Sequence, residues 1–250
     1  MEQMSKKTIK THLVTLTLRE LRALWSQRWT PLVAGLTLLL QALLIAAIAI
    51  SDQPRYAFAS LEDFFYIAFG SSIILTLLLA MRSFSEDYAQ GTWLQINLSS
   101  LSSLHITTSK ILAIVLSTFL VQLVAAPFPL LLVQKGHLST APLLTGYFGL
   151  VLVQCATTAI GTFFSSLTAR QLLSLALSST LLIALLALWM LSAILSPELA
   201  SIATTLSFYE GNFHGFMAGR LVLSEVTYYV SISTLFISAT TLRLRSRRLL

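Results

Sequence analysis

The chain has 250 residues, of which 56% are apolar and only 10% charged, with a mean hydropathy of +0.80 and a formal net charge of +6. A water-soluble globule would lack the charged surface it needs, so this composition excludes that class and indicates an integral membrane protein. The basic residues lie in short segments between apolar runs, not on one domain, which speaks against nucleic-acid binding.

Residues 6–30 are too charged to cross a bilayer but carry a helical period. Val14, Leu18, Leu21 and Trp25 fall on one stripe, and Thr8, Thr11, His12, Thr15, Arg19, Arg22 and Ser26 fill the opposite arc. This predicts a helix lying in the membrane interface, with Trp25 and Trp29 at headgroup level. Glu20 falls off the polar arc, and its simplest reading is a local ion pair with a neighbouring arginine. The lengths of this segment and of the apolar run after it speak against a cleaved signal peptide.

Six apolar stretches follow, at 31–50, 64–81, 111–133, 143–164, 172–195 and 226–242. About 20 residues at about 1.5 Å each cover a hydrocarbon core of about 30 Å. The expected fold is therefore an all-α integral membrane protein with six transmembrane helices, one domain over 1–250. The sixth stretch is the shortest, and the third contains Pro127 and Pro129. The lone cysteine, Cys155, lies in the fourth stretch, excludes an intrachain disulfide and reads as a small packed hydrophobe.

The basic residues set the expected orientation. With the N-terminus inside, the inner segments carry Lys6, Lys7, Lys10, Arg19, Arg22, Arg28, Arg82, Lys110, Arg170, Arg243, Arg245, Arg247 and Arg248, against Arg55, Lys135 and Arg220 outside. By the positive-inside rule both termini, including the basic tail 243–250, face the cytoplasm. The longest outer segment, 196–225, interleaves Phe208, Tyr209, Phe213 and Phe216 with glycines. It reads either as short helices dipping into the outer interface or as an aromatic belt.

The spans hold almost no ionisable group, which lowers the ion- and proton-coupled carriers, whose relays need one. Small and hydroxylated residues recur there at helical spacing: Thr157, Gly161 and Ser165; Ser174 and Ser178; Ser231, Thr234 and Ser238. Such faces let helices approach closely. No G-x-x-x-x-G-K-[ST] loop and no H-E-x-x-H pair occurs. His12, His105, His137 and His214 fall outside the expected spans and show no ligand spacing with Cys155, so neither a metal site nor an intramembrane serine hydrolase is expected.

Between the second and third stretches, residues 82–110 form an inner segment. Ser83-Phe84-Ser85-Glu86 has the form of a capping box, Gly91 is placed to end the short helix it would open, and the uncharged polar run from Thr92 to Ser109 reads as an amphipathic element before Lys110 opens the third span. The stretch FSEDYAQGTWLQINLSSLSSLHITTSKILA resembles this region of ABC-2 type exporter permeases at Phe84, Glu86, Asp87, Gly91, Thr92 and Lys110. It departs from that pattern at Leu94 and Ser100, where the family often carries Glu and Pro. IGTFFSSLTARQLLSLAL is similar to the junction of the family's fourth and fifth spans at Gly161, Ser165, Ser166 and Gln171. LSFYEGNFHGFMAGRLVLSEVTYYVSISTLFISATTLRLRSRR resembles the gliding-motility group at Phe213, Phe216, Gly219, Tyr228 and Arg248. Together these stretches extend over most of the chain after Phe64.

The resemblance implies a non-catalytic permease subunit in a bacterial inner membrane, paired with a second permease subunit as homodimer or heterodimer and served by a separate ABC ATPase. ATP and Mg would sit on that partner, and this chain would bind no cofactor. Residues 6–30 become the connector helix and 82–110 the cytoplasmic coupling region, with Arg19, Glu20, Glu86, Asp87, Gly91, Thr92 and Lys110 as coupling residues. Residues 196–225 become the outer-face gate segment, with Phe213, Phe216 and Gly219 at the gate and room for an accessory outer-face protein. The implied cargo is amphipathic, lipid-like or polymeric. The alternatives are a scaffold anchoring an ATPase in a motility or secretion complex, and a haem-exporter-type permease.

Overall fold

In hydrocarbon every backbone amide must find its partner within its own segment, so long apolar runs fold as helices. The computed structural model describes residues 2–50, 57–92, 102–135, 139–192, 194 and 196–248, and every regular element among them is helical. In chain order these are α1 (Glu2–Ser26), α2 (Trp29–Ile50), α3 (Ala57–Ala80), α4 (Ser85–Ala89), α5 (Ser103–Val124) and α6 (Pro127–Lys135). They continue as α7 (Ala141–Leu167), α8 (Gln171–Ser192), α9 (Pro197–Leu206), α10 (His214–Met217) and α11 (Leu223–Arg248).

Five stretches, Trp29–Ala47, Phe58–Ala89, Ser103–Val124, Ala141–Leu167 and Gln171–Leu188, are long and apolar enough to cross a membrane. The chain is thus a multi-pass all-α membrane protein by length and composition. The sixth expected span lies on α11, whose 26 residues reach about 39 Å. Its many Ser, Thr and Tyr residues hold its hydropathy below that of the other five.

The centre of the bundle is α7, packed against α3, α5, α8 and α11. Gly161 explains how closely α3 can come: a Cβ there would lie 2.6 Å from the Ala80 Cβ. Helices α2 and α8 are peripheral. They leave Leu36, Leu39 and Leu43, and Leu172, Leu173 and Ile183, exposed on the outside of the bundle, as lipid-facing helices do.

Three expectations change in the fold. The third span does not run unbroken over 111–133: α5 begins at Ser103, where Ser102 accepts from the His105 amide, and ends at Val124. Pro127 cannot continue the amide ladder and instead starts α6. On α11 the face that packs is Tyr229, Ser233, Thr240 and Leu244, whereas Ser231, Thr234 and Ser238 are exposed. The Thr234 and Ser238 hydroxyls return to carbonyls of their own helix, which satisfies them without a neighbour. Finally, Phe208, Phe213 and Phe216 are wholly buried and form no lipid-facing belt.

These aromatics cap the bundle at the end away from α1 and α4. The Phe213 ring lies 4.7 Å from that of Phe69, and Phe208 meets Tyr229 edge-on at 5.2 Å. Tyr229 donates to the Phe208 carbonyl at 2.6 Å, and Thr145 donates to the Phe216 carbonyl at 2.7 Å. Gly219 turns the chain out of α10 at φ +80°. Burial pushes the Tyr209 phenol up, with Tyr66, Glu210, Glu62 and Asp63 adding to the rise.

Candidate functional site

The expected coupling residues meet at the opposite end of the bundle, around one open cleft of about 470 Å³. Its walls come from three elements distant in sequence: Arg19, Glu20 and Gln27 from α1 and the turn after it, Arg82, Glu86 and Asp87 around α4, and Ser109 and Lys110 from α5. Thr92 also lines it, and Gly91 sits exposed at its margin. The positive φ of Gly91, +72°, is a conformation that ends a helix readily only at glycine.

Lys110 is the hinge pin of this cleft. Its side chain is 7% exposed, and its Nζ lies 3.1 Å from Glu20 Oε2 and 3.0 Å from Asp87 Oδ2, with the Phe84 ring centroid 5.4 Å away. One ammonium therefore ties α1, α4 and α5 together. The local ion pair expected between Glu20 and a neighbouring arginine does not occur among the described residues, and Glu20 pairs with Lys110 across helices instead. The reason is packing: α1 turns Thr17, Glu20 and Leu24 toward the bundle and leaves Val14, Leu18 and Trp25 outside. Trp25 still holds an inward contact, donating from Nε1 to Ser117 Oγ at 3.2 Å.

Glu86 forms a second cluster. Arg82 donates to it from Nε and Nη2 at 3.2 and 3.1 Å, Gln90 donates at 3.0 Å and Gln27 reaches both carboxylate oxygens at 3.4 Å. The capping box expected at Ser83 to Glu86 does not form. Ser83 donates to the Ala80 carbonyl, because turns carry the chain on from the end of α3 and bring the Glu86 amide to the Arg82 carbonyl. The start of α4 is capped from outside instead. Ser165 of α7 accepts from the amides of Phe84 and Ser85, both at 3.0 Å, while donating to the Met81 carbonyl.

Ser165→Ala should therefore leave two buried amides without an acceptor, at a cost of about 1–3 kcal/mol. Hydrogen exchange at Phe84 and Ser85 should accelerate while exchange in the middle of α7 stays slow. Unchanged exchange at those two amides would remove Ser165 as their cap.

The far end of the chain closes the same region. Leu244 is fully buried against Phe84 and Ile106, with Tyr88 packed on them. The Arg247 guanidinium stacks 4.3 Å from the Tyr88 ring centroid. The contributions of Gln27, Leu244 and Arg247 were not foreseen from sequence, since each is a contact between segments far apart in the chain. The amphipathic element expected after Thr92 falls on residues 93–101, outside the described residues. The polar run 103–109 forms the first two turns of α5.

The arrangement can hold α1 rigidly against the bundle and pass a displacement of α4 into α3, α5 and α7. No cluster of three or more His, Cys, Asp or Glu able to hold a metal occurs among the described residues. A comparison of the chain with protein-family models and with curated proteins finds no match.

Proposed function

We propose that this chain is the permease subunit of an ABC exporter of the ABC-2 type, crossing a bacterial inner membrane six times with both termini in the cytoplasm. The observation that carries the reading is the Glu20–Lys110–Asp87 triad. It joins the interfacial helix, the acidic patch after the second span and the opening of the third span, the elements through which the resemblance would have a separate ATPase act. Five apolar helices and the basic margin around the cleft agree with the topology.

In this reading the ATPase seats on the rim of the cleft and residues beyond Thr92. Glu86 and Asp87 are largely engaged inside the chain, so their role is to keep α4 fixed to α1, α3 and α5. Closure of the ATPase then moves these elements as one body against the spans, a rigid-body switch between two packings. A second permease subunit, homologous or identical, completes the pathway, and the cargo is amphipathic, lipid-like or polymeric.

Co-expression with a P-loop ATPase, sought first in the neighbouring reading frames, tests this. The complex should hydrolyse ATP faster than the ATPase alone, and Arg19→Glu, at an exposed position on the cleft, should reduce that stimulation severalfold while the chain still inserts. An ATPase that hydrolyses at the same rate with and without the permease would contradict the proposal.

A further inference from the structure

A polar cluster that takes no part in the cleft lies deep among the spans, where α3, α5 and α7 pack on one another. Ser72 of α3, Gln122 of α5 and Gln154 of α7 are each 2% exposed or less. Gln122 donates from Nε2 to Ser72 Oγ at 2.8 Å, and Gln154 donates from Nε2 to the same oxygen at 3.3 Å. Gln122 also reaches Ser71 Oγ at 3.3 Å and the Ala68 carbonyl at 3.4 Å. Ser72 stands eight residues, about 12 Å, from the end of α3 beside the cleft, and further from the other end.

The hydrogen bonds of this cluster do not close on themselves. Gln122 Oε1 and Gln154 Oε1 are buried and have no donor among the described residues. Ser72 Oγ accepts twice, and its own proton finds no acceptor among them. Turning an amide over does not help. A reversed Gln154 would accept from Ser72 but strand its amide protons where Oε1 now stands, and a reversed Gln122 would set its oxygen against the Ala68 carbonyl. Every arrangement leaves at least two polar groups unmet inside hydrocarbon, where such groups are costly.

The unmet groups suit one small molecule. Water can give one proton to each amide oxygen and accept the proton of Ser72, and about three bonds are usual for a buried water. Three of the four contacts to the amide nitrogens are 3.3–3.4 Å, longer than the usual length of about 2.9–3.0 Å, so the two amide heads are loosely held around Ser72. A cation suits the cluster less well. Both amides turn a nitrogen toward Ser72, and no carboxylate is among their contacts to balance a charge.

We propose that Ser72, Gln122 and Gln154 hold a buried water within the bundle, bridging α3, α5 and α7. The inference stands apart from the transport reading, since it concerns the packing of the spans and neither cargo nor ATPase.

Radiolytic footprinting of the full chain in detergent reads this out, because X-rays split bound water into hydroxyl radicals that oxidise the side chains beside it. Leu75 and Leu150 lie about one turn from Ser72 and Gln154 and are 1% and 0% exposed. Leu61, equally buried but eleven residues from Ser72 along α3, is the dry reference. Leu75 and Leu150 should oxidise severalfold faster than Leu61, and equal rates in the wild type would overturn the proposal. In Ser72→Ala/Gln122→Leu/Gln154→Leu the excess should vanish, with helix content by circular dichroism and monodisperse elution as the check on folding. An excess that survives in the folded variant would also overturn it. The wild type should melt alike in sodium, potassium and choline chloride at one ionic strength and one scan rate. Stabilisation by sodium alone would assign the cluster to an ion and so contradict the proposal.

Discussion

Lys110→Met should destabilise the chain by about 3–5 kcal/mol, the cost of leaving buried charges without their counterion. The substitution keeps the length of the side chain but leaves Glu20 and Asp87, both three-quarters or more buried, facing one another across the space of the lost ammonium. It also removes the cation over Phe84. At roughly 2–4 °C per kcal/mol for a chain of this size, the apparent melting temperature in detergent should fall by roughly 10 °C, compared at one scan rate. Glu20→Gln/Asp87→Asn/Lys110→Met should regain most of that loss, because a neutral replacement of a whole buried ionic group is often nearly neutral in stability. A single variant that melts with the wild type would show that the triad does not hold α1 and α4 in place.

The second large effect is expected at Gly161. Its missing Cβ is what admits Ala80, and Ala80 belongs to the last turn of α3, fully buried, so its methyl cannot retreat without moving backbone. Overpacking of this kind costs about 1–3 kcal/mol and more for a large side chain. Gly161→Ala should be mildly destabilising and Gly161→Leu severely so, seen as a graded loss of monodisperse protein after solubilisation. Because Ser165 lies one turn further along α7, the same displacement should uncap Phe84 and Ser85. Ala80→Gly in the Gly161→Ala background should restore stability, a coupling that neighbours show and distant sites do not. No such compensation would mean that α3 and α7 are not held by this contact.

What the sequence reveals is mainly what repeats along it. Apolar runs locate α2, α7 and α8 to within three residues, whereas α3 and α5 start seven and eight residues before their apolar stretches; the glycine at 91 locates the end of α4, because these depend on local solvation and backbone conformation. The break at Ala125 and Ala126 was visible as Pro127 and Pro129, yet apolar length alone runs straight across it. The site is less legible. Arg19, Glu20, Glu86, Asp87, Thr92 and Lys110 were singled out and line one cleft, but which carboxylate meets which cation depends on how α1 rolls on α5. A periodicity argument aimed the apolar stripe of α1 and left that roll undetermined.

The same limit explains the outer segment and the capping of α4. Phe208, Phe213 and Phe216 have the spacing of an interfacial belt, and only the return of the chain over the bundle buries them. Ser83 had the right neighbours for a capping box, yet Ser165, 81 residues from Phe84, supplies the acceptor. Tertiary contacts override local signals where a better-placed partner arrives from elsewhere.

In the proposed topology the cleft faces the cytoplasm, the compartment where an ATPase works. Ala89→Cys in a Cys155→Ser background places a single exposed thiol at the end of α4, beside the cleft. A membrane-impermeant maleimide should label it in inside-out inner-membrane vesicles and leave it unlabelled in intact spheroplasts. Labelling in intact spheroplasts would put the cleft on the outer face and contradict the account.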